Sequence, residues 1–118
     1  MVASYLGGCS IATSYVGVVH PLSAALSVVL GLHHCVANCI TMRAVEEFYP
    51  EAFSQFWHFV ECQQVNIPQG VTSGLSDSEF KRLYDACIVH ERPLTNALGS
   101  SFREILTPKK IRTLFEKM

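Results

Sequence analysis

Apolar residues recur at helical spacing along most of the chain. The set Leu22, Ala25, Leu26 and Val29 follows the i, i+3, i+4, i+7 pattern of an amphipathic helix. No stretch alternates apolar and polar residues for long enough to predict a strand. The pattern therefore predicts an all-α fold, built as a compact multi-helix domain.

Helix starts and stops can be placed from local signals. Pro21 has no N–H to donate, so we expect a kink or a fresh helix start there. Ser76 and Glu79 have the spacing of a capping box, and Pro50 suits the first position of a helix. The predicted helices cover residues 2–12, 16–30, 34–47, 50–64 and 76–90, with a short turn-and-helix over 91–99 and a last helix from 108.

Aromatic and apolar side chains follow one face of the helix predicted from Pro50. Phe53, Phe56, Trp57 and Val60 lie at helical spacing, and we interpret this stripe as core packing rather than as a cofactor site. Residues 65–75 contain two glycines and a proline and are predicted to form a loop.

Charge is distributed very unevenly. Residues 1–42 contain no Asp, Glu, Lys or Arg, and all nine basic and ten acidic residues follow them. This hydrophobicity excludes a disordered chain, and we expect the first third to be buried. The net charge of −1 offers no basic excess to neutralise phosphates, so nucleic acid is not expected as a partner.

The most apolar stretch does not resemble a membrane span. Val16–Leu32 is interrupted by His20 and Pro21 and falls short of the roughly 20 apolar residues that a spanning helix needs. No basic cluster precedes it, as a secretory signal would require. We therefore expect no membrane association, a cytoplasmic location and reduced cysteines.

The five cysteines form no tight framework. Cys35 and Cys39 lie one helical turn apart beside two histidines, which raises the alternative of a zinc cluster. A structural zinc site usually has four ligands, and no second pair of suitable spacing exists, so buried structural cysteines are favoured. Cys62 and Cys87 fall near apolar faces and are predicted to be core thiols. His58 is predicted to lie on a polar face.

Two other histidines carry the candidate chemistry. His20 lies in the uncharged segment, and His34 opens the next predicted helix. A chain bent at Gly31 would let His34 fold back towards His20. Because a catalytic metal keeps at least three protein ligands, this spacing alone predicts at most half of a metal site. A buried histidine that only packs in the core is the alternative.

Two segments around these histidines resemble a known family signature. Residues 17–23 read Gly-Val-Val-His-Pro-Leu-Ser, and residues 33–38 read His-His-Cys-Val-Ala-Asn. Together they resemble the motif of the iron-containing alcohol dehydrogenases, most closely the 3-deoxy-manno-octulosonate 8-oxidase type. Residues 46–51 and 90–98 are also similar, and the resemblance covers residues 1–118. For the stretch from His90 to Leu98, a substrate-side role and a packing role are both open.

The resemblance implies a role for each histidine. His20 and His34 take the first and last histidine positions of the motif, as ligands of iron or zinc. The middle histidine of the family motif is Ala24 here, and the glycine after the last ligand is Cys35. We assign no catalytic residue within the chain, and the cofactor-binding residues are unknown.

The resemblance also implies which parts lie outside the chain. In the family an Asp and a further His come from an upstream helix, and NAD(P) is bound by an N-terminal α/β domain. We therefore expect residues 1–118 to be a single truncated C-terminal helical domain without the nucleotide-binding domain. Whether it is an enzyme depends on a missing N-terminal half, because metal, nicotinamide and alcohol must be held together.

A second, non-enzymatic hypothesis follows from the uncharged first third. Without upstream helices to cover it, residues 1–42 would expose an apolar surface that favours self-association. The chain would then be a stand-alone all-α homo-oligomer, most simply a dimer, from a truncated or mobile gene.

Overall fold

The computed structural model describes residues 1–12 and 14–118 in full and residue 13 by its backbone alone. The described part consists of helices, turns and loops and contains no strand, which confirms the predicted all-α class. The helices are α1 (Val2–Ser14), α2 (Val19–Leu30), α3 (His34–Thr41), α4 (Pro50–Cys62), α5 (Asp77–Ile88), α6 (Glu91–Leu98), α7 (Phe102–Ile105) and α8 (Pro108–Phe115), with a 3₁₀ turn over Met42–Ala44.

Most predicted helix ends are confirmed, because they depend on local chemistry. α2 starts afresh at Val19, which places Pro21 in the first turn, where a missing N–H removes no helical hydrogen bond. α4 begins at Pro50. The Ser76 side chain accepts a hydrogen bond from the Glu79 backbone N–H, and the Glu79 carboxylate accepts from the Ser76 N–H. The capping box is therefore complete.

The predicted helix over residues 34–47 is wrong at its end. α3 ends at Thr41 and tightens into the 3₁₀ turn, after which the N–H groups of Phe48 and Tyr49 both donate to the Val45 carbonyl. Tyr49 precedes Pro50, and a residue before proline is disfavoured in the helical conformation. The chain must therefore leave the helix before residue 49. The short helix α7 was not predicted; it buries Phe102.

The centre of the core is α2, which packs against α5 and α3. Helix α8 lies against α5 and closes the other side. The fully buried large side chains are Val18, Leu22, Leu26, Ile40, Val45, Leu83, Leu94, Leu106, Ile111, Leu114, Phe115 and Met118. The apolar faces predicted for α2, α5 and α8 thus point inward, and this packing fixes the direction in which α2 starts.

The aromatic stripe of α4 is only half buried, so its prediction as core is wrong in degree. Phe53 and Phe56 each make an edge-to-face contact with Trp57, at ring-centre distances of 6.2 and 5.1 Å. The Arg43 guanidinium covers the other ring surface, 4.7 Å from the Trp57 ring centre. The stripe is shielded by a cation and its own neighbours because α4 buries no residue completely.

Helix α1 contradicts the expectation that the whole first third is buried. Every described side chain of α1 is exposed, including Tyr5 at 72% and Leu6 at 59%. Its C-terminal end is attached to α6, where the Asn96 side-chain amide donates to the Ser14 carbonyl at 3.1 Å. The Arg92 guanidinium also lies 4.0 Å from the Tyr15 ring centre. Absence of charge therefore predicted burial correctly for α2 but not for α1.

The described residues include no helix that combines the length and the apolar character needed to cross a bilayer.

Candidate metal-ligand cluster

Three histidines from separate parts of the chain meet at one end of α2. We call His20, His34 and His90 the histidine cluster. The ring centres of His20 and His34 are 5.5 Å apart, and those of His20 and His90 are 5.4 Å apart. Both pairs are close to perpendicular, with interplanar angles of 78° and 80°. The structure thus brings together the two histidines predicted as ligands and adds a third.

The position of His20 depends on the start of α2. The Tyr49 hydroxyl accepts a hydrogen bond from the Val18 N–H at 3.2 Å. Its aromatic ring also lies directly against Gly17, where an added Cβ would overlap the hydroxyl oxygen. A residue from the turn before α4 therefore fixes the first turn of α2, and with it His20.

His34 reaches the cluster because the chain reverses after α2. Gly31 ends α2 with φ of +70°, a left-handed conformation that glycine adopts without strain. His33 is extended, and His34 is the first residue of α3. The expectation that a bend at Gly31 brings His34 back to His20 agrees with this geometry. Metal ligation by the pair remains a prediction.

His90 is the member that the sequence analysis did not place. It is the N-cap residue between α5 and α6, and its backbone N–H donates to the Cys87 carbonyl at 3.3 Å. Both neighbouring helices pack against α2, which brings His90 beside His20 although the two are far apart in the sequence. The one available signal was that the similar stretch over 90–98 begins at this histidine.

The cluster favours neutral imidazoles. Partial burial lowers the pKa of His20, and the neighbouring His90 and His34 lower it further, since a second positive charge beside them would be repelled. His20 and His90 are half buried, whereas His34 is exposed. Neutral imidazole is the form that binds a metal ion, so the electrostatics suit ligands.

The pair His20 and His34 fits two positions of a metal site. Two imidazoles bound to one tetrahedral zinc at about 2.1 Å per nitrogen place their ring centres about 5.3 Å apart. The observed 5.5 Å agrees with this separation. Among the described residues, however, no three His, Cys, Asp or Glu side chains are already arranged to hold an ion. The pair therefore supplies part of a ligand set and not a complete site.

The cysteines divide into exposed and buried thiols. Cys35 is exposed and Cys39 half buried, so the prediction of buried structural cysteines is wrong for Cys35, which sits on the open side of α3. Cys62 is exposed as well, 3.6 Å from Nε2 of His58, and is not a core thiol, because α4 lies at the surface. Cys87 is buried as predicted, and burial raises its pKa to about 12.

A surface cleft of about 550 Å³ lies between α5 and α8, away from the cluster. Phe80 and Tyr84 form its apolar lining, and Arg112 lies 4.5 Å from the Phe80 ring centre. Arg112 is also paired with Asp77 at 2.6 Å and with Glu116 at 3.0 Å. Since its arginine already has carboxylate partners, the cleft adds no candidate chemistry.

No protein family model matches the chain. The candidate site is therefore described by its own geometry, and the dehydrogenase resemblance remains a proposal.

Proposed function

We propose that the chain is the metal-binding part of the helical domain of a nicotinamide-dependent alcohol or sugar-acid dehydrogenase. The observation that carries the proposal is the 5.5 Å separation of the His20 and His34 ring centres, which lie on two successive helices. The fold class that the resemblance implies for such a domain is all-α, as the structure of the described residues is.

The two histidines would hold the metal, iron or zinc, together with ligands from outside these residues. When bound, such an ion acts as a Lewis acid towards a substrate hydroxyl. His20 contributes a half-buried imidazole on a first turn fixed by Tyr49, so its ring is held in place by the core. His34 contributes an exposed imidazole at the start of α3, on the side from which a further element could approach.

We do not propose that these residues catalyse the reaction alone. The described part offers two ligands where a catalytic metal needs at least three, and it forms no βαβ unit for NAD(P). Hydride transfer would require the nucleotide-binding domain that the resemblance implies.

Metal binding by the pair can be tested by calorimetric titration with Zn²⁺. We expect His20→Ala and His34→Ala each to weaken binding about 100-fold or more, since loss of a direct ligand should cost at least as much as loss of a supporting hydrogen bond. His33→Ala is the matched control, because His33 is adjacent to His34 but outside the cluster. Absence of Zn²⁺ binding by the unsubstituted chain would contradict the proposal, as would equal affinity in all four proteins.

A second candidate function, a non-enzymatic all-α homo-oligomer, is favoured by α1. This helix has no charged side chain and exposes Val2, Tyr5, Leu6 and Ile11 by more than half of their surface. Contiguous exposed apolar surface of this kind marks an interaction site in most proteins. The second copy is the natural partner, because an uncharged helix is compatible with an identical uncharged helix.

The oligomer predicts the mass of a dimer, twice that of the single chain, in light scattering coupled to size exclusion. Leu6→Glu should shift the protein to the monomer, because two buried carboxylates would face each other without partners. Val89→Glu is the control, since Val89 is 70% exposed but lies at the end of α5, away from α1. A monomeric unsubstituted chain, or dissociation by both variants alike, would count against α1 as the contact.

A further inference from the structure

We propose that His90 is a third ligand of the same metal site, so that the chain holds a first-row transition metal such as Zn²⁺ on three imidazoles. The proposal rests on the proposed function for His20 and His34 and extends it to a residue with no assigned role. The fourth position of a tetrahedral ion would be left to water or to an outside ligand.

The distances give the first argument. The ring centre of His90 lies 5.4 Å from that of His20, and the His34 ring centre lies 5.5 Å from it. Both values match the separation of about 5.3 Å expected for two imidazoles on one tetrahedral zinc ion. Whatever supports His20 and His34 as a ligand pair therefore supports His20 and His90 equally.

The backbone positions give the second argument. His20 lies in the first turn of α2, His34 starts α3 and His90 caps α6. Both α3 and α6 pack against α2, so the three Cα positions are fixed by helix packing and not by a loop. Sites built on packed helices hold their ligands more accurately than sites on loops do.

The side chains of the two outer histidines are free to turn. His34 is exposed, and the His90 side chain makes no capping hydrogen bond to α6. Within the described part of the chain no three donors already surround one point, so binding requires the rings of His34 and His90 to rotate towards His20. This rotation has a cost, and we expect a weaker site than a preorganised one.

The test uses Co²⁺ as a spectroscopic substitute for Zn²⁺ and NMR of the histidine rings. We expect visible absorption typical of tetrahedral Co²⁺ and Zn²⁺-dependent shifts of the His20, His34 and His90 ring protons, with those of His33 and His58 unchanged. His90→Phe keeps an aromatic ring in contact with His20 but has no nitrogen, and it should weaken Co²⁺ binding about 100-fold or more. His58→Phe is the matched control on exposed α4.

The outcomes separate this inference from the proposed function. If His90→Phe binds Co²⁺ like the unsubstituted chain while His20→Ala and His34→Ala do not, His90 only packs against His20 and the inference is overturned. If His20→Ala and His34→Ala bind normally, the proposed ligand pair fails as well. A strong near-ultraviolet band from cobalt–thiolate bonds would assign the ion to Cys35 and Cys39 and would overturn both. Retention of the far-ultraviolet circular dichroism spectrum confirms that each variant is folded, and His90→Asn, which favours the N-cap position, replaces His90→Phe if that variant does not fold.

Discussion

Leu26→Ala is expected to lower the free energy of unfolding by about 2–5 kcal/mol, the range for truncating a buried leucine. Leu26 is completely buried on α2, the helix that contacts both α5 and α3. The substitution removes apolar contacts and leaves a cavity that the surrounding helices fill only in part. Since a domain of this size has about 5–15 kcal/mol of stability, a large fraction of it would be lost.

Urea denaturation followed by circular dichroism measures this loss. Val28→Ala is the matched control, because Val28 lies on the same helix and is 75% exposed. Its effect should stay within about 0.5 kcal/mol, as for other surface substitutions. Equal losses for the two variants would mean that α2 is not packed in the core as described, and the placement of His20 would then lose its basis.

The predictable part of the fold is the part governed by neighbours in the sequence. The Ser76–Glu79 capping box and the start of α4 at Pro50 could be predicted because each depends on residues within one helical turn. The end of α3 could not, since it depends on Ala44 and Val45 turning inward to become completely buried. That burial is a property of the whole core, and the period of apolar residues does not reveal it.

The candidate site divides in the same way. His20 and His34 were found from the sequence because they belong to one continuous motif. His90 was not, because its proximity to His20 arises only when α5 and α6 pack against α2. The exposure of α1 was hidden for a related reason: lack of charge indicates that a segment can be buried, but not that this chain supplies the surface to bury it.

Gly17→Ala is expected to destabilise the fold by about 1–3 kcal/mol, the usual cost of forcing an extra methyl group into a packed site. The new Cβ would overlap the Tyr49 hydroxyl oxygen and lie 3.3 Å from its ring carbon Cζ. The ring cannot simply move aside, because its hydroxyl accepts the Val18 N–H bond. Gly8→Ala, where an added Cβ meets nothing within 4 Å on helix α1, should be neutral or stabilising.

A double-mutant cycle with Tyr49→Phe tests whether this contact is the cause. Tyr49→Phe alone should cost about 0.5–1.5 kcal/mol, since the Val18 N–H loses its acceptor. Combined with Gly17→Ala it should cost less than the two single effects together, by about 0.5–3 kcal/mol, because removal of the hydroxyl makes room for the methyl group. Strictly additive losses in urea denaturation would place the strain at another contact, such as Ala97, whose Cβ would be 3.9 Å away. Because Gly17 lies just before the helical turn that carries His20, the same cycle reports how firmly the start of α2 holds the histidine cluster.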